Sequence, residues 1–393
     1  MIEGGRLATV VVSREALEAA QKPEKAYYLT EAVVYYVNEI QRVGVYHARE
    51  LAAGVMQAYH ADYYLAQVNN GGHSQFIGNT DVAMLATTCG DALAGLKAMG
   101  ASAQHQILQE MMAWVQAHPE EAARQTGFGD CAAALDALDK RFYEAERQQP
   151  MTQLAARWIA NWPELRAVAR DQFSSEIERL AQLNPHLAQR RIWHSVQQIK
   201  FQMTDRLQIT VAAACGAVAP EPELKLAIFA GSMMTLEGQQ CMAFGVKTDK
   251  GSRLCAVGEA GGRLYDYGPR SRGGLGASDG GARLSSVGAD TIQNFSRIAE
   301  QTLAAEAIDL LLRKSGLDPA VKITALRVSD DWAAWCAVAG QTSMMVATHG
   351  DRADLIGSDA QGANTVTRAE IERHAAEATA GRNSMRAPES SAT

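Results

Sequence analysis

Apolar residues recur at helical spacing through the first half of the chain. Within 46–68, Leu51, Val55, Ala58 and Ala61 fall on one face, the period that lets an α-helix bury one stripe. The same spacing predicts helices over 30–42, 81–99, 102–117, 131–147, 151–161 and 164–183, with Ser13 capping a short one that runs to Ala20. Gly100, His118-Pro119, Pro150 and Trp162-Pro163 supply the stops. Adjacent helices on short connections imply a compact antiparallel bundle.

After about Lys200 the period changes. Residues 203–219 fit helix and strand equally, and Pro220-Glu221-Pro222 interrupts them. Residues 240–247 and 252–257 flank Thr248-Asp249-Lys250-Gly251, a hairpin signal. A third strand is expected over 263–267, a helix over 291–314, and a meander from 321–328, 333–339, 343–348 and 354–356. Small and polar residues after about Ala378 read as a disordered tail. The expected fold class is α+β: an N-terminal all-α helical bundle over 1–200, an α+β domain with an antiparallel sheet over 201–377, and the tail over 378–393. That domain is expected to hold roughly five strands and one main helix.

Pattern and chemistry become specific together in 63–79. The apolar period ends at Val68, and Asn69, Asn70, Gly71 and Gly72 follow. Asn and Gly enter the left-handed conformation cheaply, which lets the last carbonyls of a helix find donors. A short mixed loop carrying His73, Gln75, Phe76 and Asn79 is expected next, with Asn79 or Thr80 capping the following helix. In this helix–turn–helix corner, Gly71 or Gly72 should take a positive φ and Phe76 should be a buried plug. The amides of Asn70, Gln75 and Asn79 should serve open backbone groups. His73 reads as a packed ring with a hydrogen-bonded nitrogen. The whole set reads as architecture rather than as a catalytic site.

Val68, Asn69, Asn70, Gly71, Gly72, Gln75, Phe76 and Asn79 match the pattern Val-Asn-Asn-Gly-Gly-aromatic-x-Gln-aromatic-x-x-Asn. On these residues the chain resembles a widespread family of bacterial helical proteins. The best-known type in that family is a DNA mimic that binds a transcription factor in place of DNA. His73 stands where the family usually carries an aromatic residue, and 134–143 resembles the family's second recurrent segment. The resemblance covers about residues 25–190. It implies a helical fold and a protein partner, and it carries over no enzymatic activity.

Composition and charge narrow the function classes. With 393 residues, 47% apolar and 21% charged, the chain has ample core for two domains and is not globally disordered. No apolar run approaches a membrane span and the first residues lack a signal-peptide layout, so a cytoplasmic protein without a membrane partner is expected. The six cysteines are scattered with no Cys-x-x-Cys pair, which suits reduced thiols better than disulfides or zinc. The net charge of −7 divides almost evenly between the halves, and neither is basic enough for direct nucleic-acid binding.

A local tilt remains within 110–146, where acids outnumber Arg124, Lys140 and Arg141. Glu120, Glu121, Asp136 and Asp139 are the candidates there for docking a protein with a basic surface. The plainer reading is a solvated helix face with i,i+4 pairing. A homodimer is a further open alternative. The Gly-rich stretch 268–281 lacks Gly-Lys-Ser/Thr and misses the dinucleotide fingerprint, so it reads as a linker and no cofactor is expected. His60 and Asp62, two apart on a helix, diverge, and no His-x-x-x-His or Gly-x-Ser-x-Gly spacing occurs. No metal is expected and catalytic residues stay unassigned. The leading expectation is a non-enzymatic protein-interaction module. The alternative is a hydrolase or ligand-binding protein with its site at the domain junction or in the C-terminal domain.

Overall fold

The computed structural model describes residues 2–3, 5–80, 82–127, 131–267, 281–356 and 364–385. The chain divides into two compact units, Met1–Leu187 and Ala188–Thr393. A helical N-terminal region is followed by a region with two antiparallel sheets, an α+β protein.

The first unit opens with short strands β1 (Ile2–Glu3), β2 (Arg6–Leu7) and β3 (Val10–Ser13). Its helices are α1 (Arg14–Ala19), α2 (Tyr27–Gly44), α3 (Ala53–Asn79), α4 (Val82–Met99), α5 (Ser102–Ala117), α6 (Pro119–Ala122), α7 (Ala133–Gln148) and α8 (Met151–Ile159). Strand β4 (Leu165–Val168) and helix α9 (Phe173–Ala181) complete it. Ser13 caps α1 as expected, its hydroxyl accepting the Ala16 N–H at 3.1 Å.

Two departures from helical expectation involve backbone pairing across long sequence distances. The helix expected from residue 164 gives way first to β4, which pairs in parallel with β3. Val10, Val11 and Val12 are buried there, and β-branched residues favour that extended state. The helix expected from residue 46 starts only at Ala53, because Leu51 bridges to Leu7 and a capping box joins His47 and Glu50.

The second unit begins with α10 (Leu187–Thr204) and α11 (Arg206–Gly216). A five-stranded meander follows: β5 (Ala227–Leu236), β6 (Gln239–Thr248), β7 (Gly251–Gly258), β8 (Gly261–Asp266) and β9 (Arg283–Gly288). Next come α12 (Ala289–Gln301) and α13 (Ala304–Lys314). The second meander is β10 (Lys322–Val328), β11 (Trp332–Ala339), β12 (Thr342–His349), β13 (Arg352–Ile356) and β14 (Thr365–Thr367), closed by α14 (Arg368–Met385). Both sheets are antiparallel with strands in chain order.

Roughly five strands and one main helix were expected here, and the described residues hold ten strands and several helices. The helix expected over 291–314 is two, parted at Leu303, which takes φ 52°. The stretch 378–385 is helix rather than tail, since Ala378 is buried and Arg190 donates to the Ser384 hydroxyl at 2.8 Å. The linker expected over 268–281 lies, apart from Gly281, outside the described residues, as does 386–393.

One hydrophobic cluster serves both meanders. Val246, Cys255 and Leu264 of the first sheet share it with Trp335, Val346 and Leu355 of the second and with residues of α11, α12 and α13. Helix α11 packs on β8 and β9 and also on β10. The close approach falls at Gly216, where a Cβ would overlap the Ala325 carbonyl oxygen. Overpacking of this kind costs about 1–3 kcal/mol. Gly216→Ala is therefore expected to lower the urea midpoint of the full chain, and an unchanged midpoint would show that α11 can shift on β10 without loss.

Candidate functional site: the broken helix of the first unit

Helix α3 buries Val55, Ala58, Ala61, Leu65 and Val68 along one stripe. It then breaks at Gly71 and Gly72 and resumes as a helix rather than a loop, so Gln75, Phe76 and Asn79 are helical. The expectation of a loop there is corrected. After Gly72 the chain re-enters helical angles, and the new turns bury His73 to Ile77 without a gap. Gly72 takes φ 72°, a conformation costly to any residue with a Cβ. A Cβ there would also overlap the Asp139 carboxylate.

A break in a helix leaves carbonyls open before it and N–H groups open after it. Both ends are met from α7. The Tyr143 hydroxyl donates to the Val68 carbonyl at 2.8 Å. The Asp139 carboxylate accepts the His73 backbone N–H at 2.9 Å, the place where a negative group best complements a helix N-terminus. The same carboxylate oxygen lies 2.5 Å from His73 Nδ1, and His73 Nε2 lies 2.8 Å from the Tyr64 hydroxyl. With Asp139 as acceptor, a neutral His73 carries its proton on Nδ1 and accepts from Tyr64 through Nε2.

The resulting Tyr64–His73–Asp139 line has the outline of a catalytic relay, but its setting is a core. Tyr64 and His73 are fully buried, and burial holds the Tyr64 phenol well above its ordinary pKa. Rings close around them, with Tyr64 5.1 Å from Phe76 and 5.3 Å from Phe142 between centroids. A phenol so enclosed has no approach for a substrate.

The amides were expected to serve backbone groups, and the structure places them otherwise. Gln75 and Asn79 both donate to the side-chain oxygen of Gln67, at 2.9 and 2.8 Å. Thr80 turns back to the Phe76 carbonyl at 2.6 Å. Phe76 is completely buried. Asn69 and Asn70 are exposed, and among the described residues neither side chain has a hydrogen-bond partner.

The sequence candidates for docking separate in space. Glu120 and Glu121 on α6 and Asp136 in the first turn of α7 are exposed. Asp139 points inward at His73. Other acids of 110–146 are engaged locally: Glu110 pairs with Arg141 and Glu144 with Arg147, while Glu146 accepts from the Gln104 amide at 2.7 Å. The sulfur of Cys131 and carboxylate oxygens of Asp136 and Asp139 lie within 4.8 Å of one another. Burial first, then the nearby acids, push the Cys131 thiol up to about 11, so it stays protonated near neutral pH, and Asp139 is already engaged. His60 meets Asp91 at 2.8 Å rather than Asp62. The signal that sequence reasoning missed is Asp139 itself: an acid at helical spacing with Leu135, Leu138 and Phe142, on the buried stripe of α7.

Fold and site together define a helical scaffold whose defining break is closed from within. Residues 49–162, which hold the break and its partners on α7, match the family model of the DMP19-like protein. No curated protein and no solved structure matches the chain.

Two outcomes follow for stability. Phe76→Ala is expected to cost about 3–5 kcal/mol and Gly72→Ala to lower the unfolding midpoint sharply, while Asn69→Ala and Asn70→Ala change it by less than about 0.5 kcal/mol; thermal melts of the four variants check this. Asp62, half-buried on α3, is held up at about 6 from an ordinary 3.8 by burial and then by Glu31. A carboxyl raised in the fold stabilises it fully below its unfolded pKa, and that contribution is lost as pH rises through the folded value. Asp62→Asn should therefore raise stability at pH 8 by about 1–2 kcal/mol after allowance for partial exposure, with the gain vanishing near pH 4. A pH series of denaturation curves reads this directly.

Proposed function

We propose that the first unit is a protein-interaction module that engages a partner with a basic surface, in a cytoplasmic setting. The observation that carries this reading is the similarity of residues 49–162 to the DMP19-like family, the family of a DNA mimic. Two features support it. The buried polar groups of the break are turned on one another, leaving Asn69, Asn70 and the exposed carboxylates of α6 and α7 to face outward. Among the described residues, Glu120 and Glu121 form no ion pair, so their charge is free to act on a partner.

The acids do not form a phosphate-like ladder. Glu110 and Glu144 are paired with arginines, and Asp139 holds the break. The exposed carboxylates of Glu120, Glu121 and Asp136 fit a local basic surface better than they fit a DNA-length mimic. Charged rim groups act mainly through association rate and salt dependence. A partner captured from native lysate on the full chain should bind the triple variant Glu120→Lys, Glu121→Lys, Asp136→Lys about tenfold or more weakly, with a flatter salt dependence. Equal affinity and equal salt slope for the variant would overturn the proposal.

A further inference from the structure

The second unit contains one architecture twice. Helix α11, strands β5–β9 and helix α12 repeat as α13, β10–β14 and α14, with the strands in the same order. The first strand of each sheet carries a register irregularity. Counted back from the tight turns after β6 and β11, Val246, Phe244 and Met242 correspond to Ala337, Trp335 and Ala333. Likewise Leu264 corresponds to Leu355, each two strands along the same row. The pairing registers mark this repeat.

What covers the two copies differs. In the second sheet the inner face of β10 and β11 lies under the helices of the first repeat. Phe295 of α12 meets Trp335 at 5.4 Å, and Asn294 and Arg297 of α12 donate to the carbonyls of Ser329 and Asp330 at 3.2 and 3.0 Å. Ala333 and Trp335 are fully buried as a result. The matching face of β5 and β6 is buried at Val246 and open toward Met233 and Met242. Met233 and Met242, paired side by side, are 59% and 40% exposed, and they extend the row through Val257, which packs on the shared core. Strand β5 is the edge of its sheet and carries no charged residue over ten positions, whereas edge strands facing water are normally protected by charge or proline.

We propose that this face of β5 and β6 docks an amphipathic helix of a different polypeptide, in the place that α12 holds on the second sheet. The bound helix needs an uncharged stripe of large apolar residues, as α12 presents with Ile292, Phe295 and Ile298. The uncharged strand matches such a stripe and rejects a basic one, so this partner is distinct in chemistry from that of the first unit. Methionine suits the role because its flexible, polarisable side chain adapts to a range of apolar partners. A second copy of the chain does not supply the helix. Its α12 is committed to its own β11. Its equivalent pair, α13 and α14, is covered by α10, which reaches them through Ser195 to Arg313 at 2.9 Å and Trp193 to Arg382 at 5.4 Å.

The test uses the full chain with methyl-labelled methionine, fourteen in all, titrated with a stapled helical peptide of the α12 sequence. The Met233 and Met242 methyl signals, assigned by Met233→Gln and Met242→Gln, should shift saturably while Met344, buried at the inner face of the second sheet, does not. The double variant should bind the peptide about tenfold or more weakly, and a peptide with Phe295→Ser should fail to bind. Absence of a saturable shift, or equal binding by the double variant, would overturn the proposal. A shift of Met233 on concentrating the chain alone, matched by dimer in sedimentation, would also overturn it by giving the face to a second copy.

Discussion

The first unit depends on a single carboxylate set against a broken helix. At Gly72 the backbone of α3 turns through a positive φ, and the N–H of His73 is left without an intrahelical acceptor. Asp139 supplies that acceptor from α7 and holds the imidazole of the same residue. Unpaired, a buried N–H would cost about 1–3 kcal/mol, and the imidazole would face the ring cluster with an open donor. The break, the buried histidine and the packing of α7 on α3 are therefore one arrangement. Glycine at 72 is required twice, once for its φ and once because the carboxylate occupies the space a Cβ would take.

The second unit solves a different problem, that of covering two antiparallel sheets with few helices. Placing α11 and α12 between the first sheet and the opening strands of the second lets one pair of helices bury surface on both. The buried Asp309 of α13 ties the closing helix to this core, accepting from Arg313 at 2.7 Å and meeting His374 of α14 at 2.6 Å. A chain that uses each helix pair for the following sheet leaves its first sheet without a predecessor, and β5 and β6 show the consequence as exposed methionines.

Charge in both units is largely used where it stands. Short-range pairs such as Glu39 with Arg42 and Glu176 with Arg179 join neighbours on one helix, and exposed pairs of this kind contribute little to stability. Each such pair cancels its own field at distances beyond a few ångströms. The proposed recognition by the first unit draws on the few carboxylates left over, and that proposed for the second on apolar shape.

Much of this was legible in the sequence because it is local. Helical periodicity located α2, α4, α5, α7 and α8, the Thr248–Gly251 signal located its hairpin, and Asn-Asn-Gly-Gly located the interruption of α3, since each depends on residues within a few positions of one another. The sequence by itself thus determined fold class, the position of the break and the burial of Phe76. Tertiary structure alone decided that His73 to Asn79 resume as helix, that Asp139 belongs to the break rather than to the surface, and that β3 and β4 pair across most of a unit. It also decided that two dissimilar segments form one repeated architecture. In every such case the partner lies many residues away, and a periodicity carries no information about which distant donor, acceptor or strand will meet it.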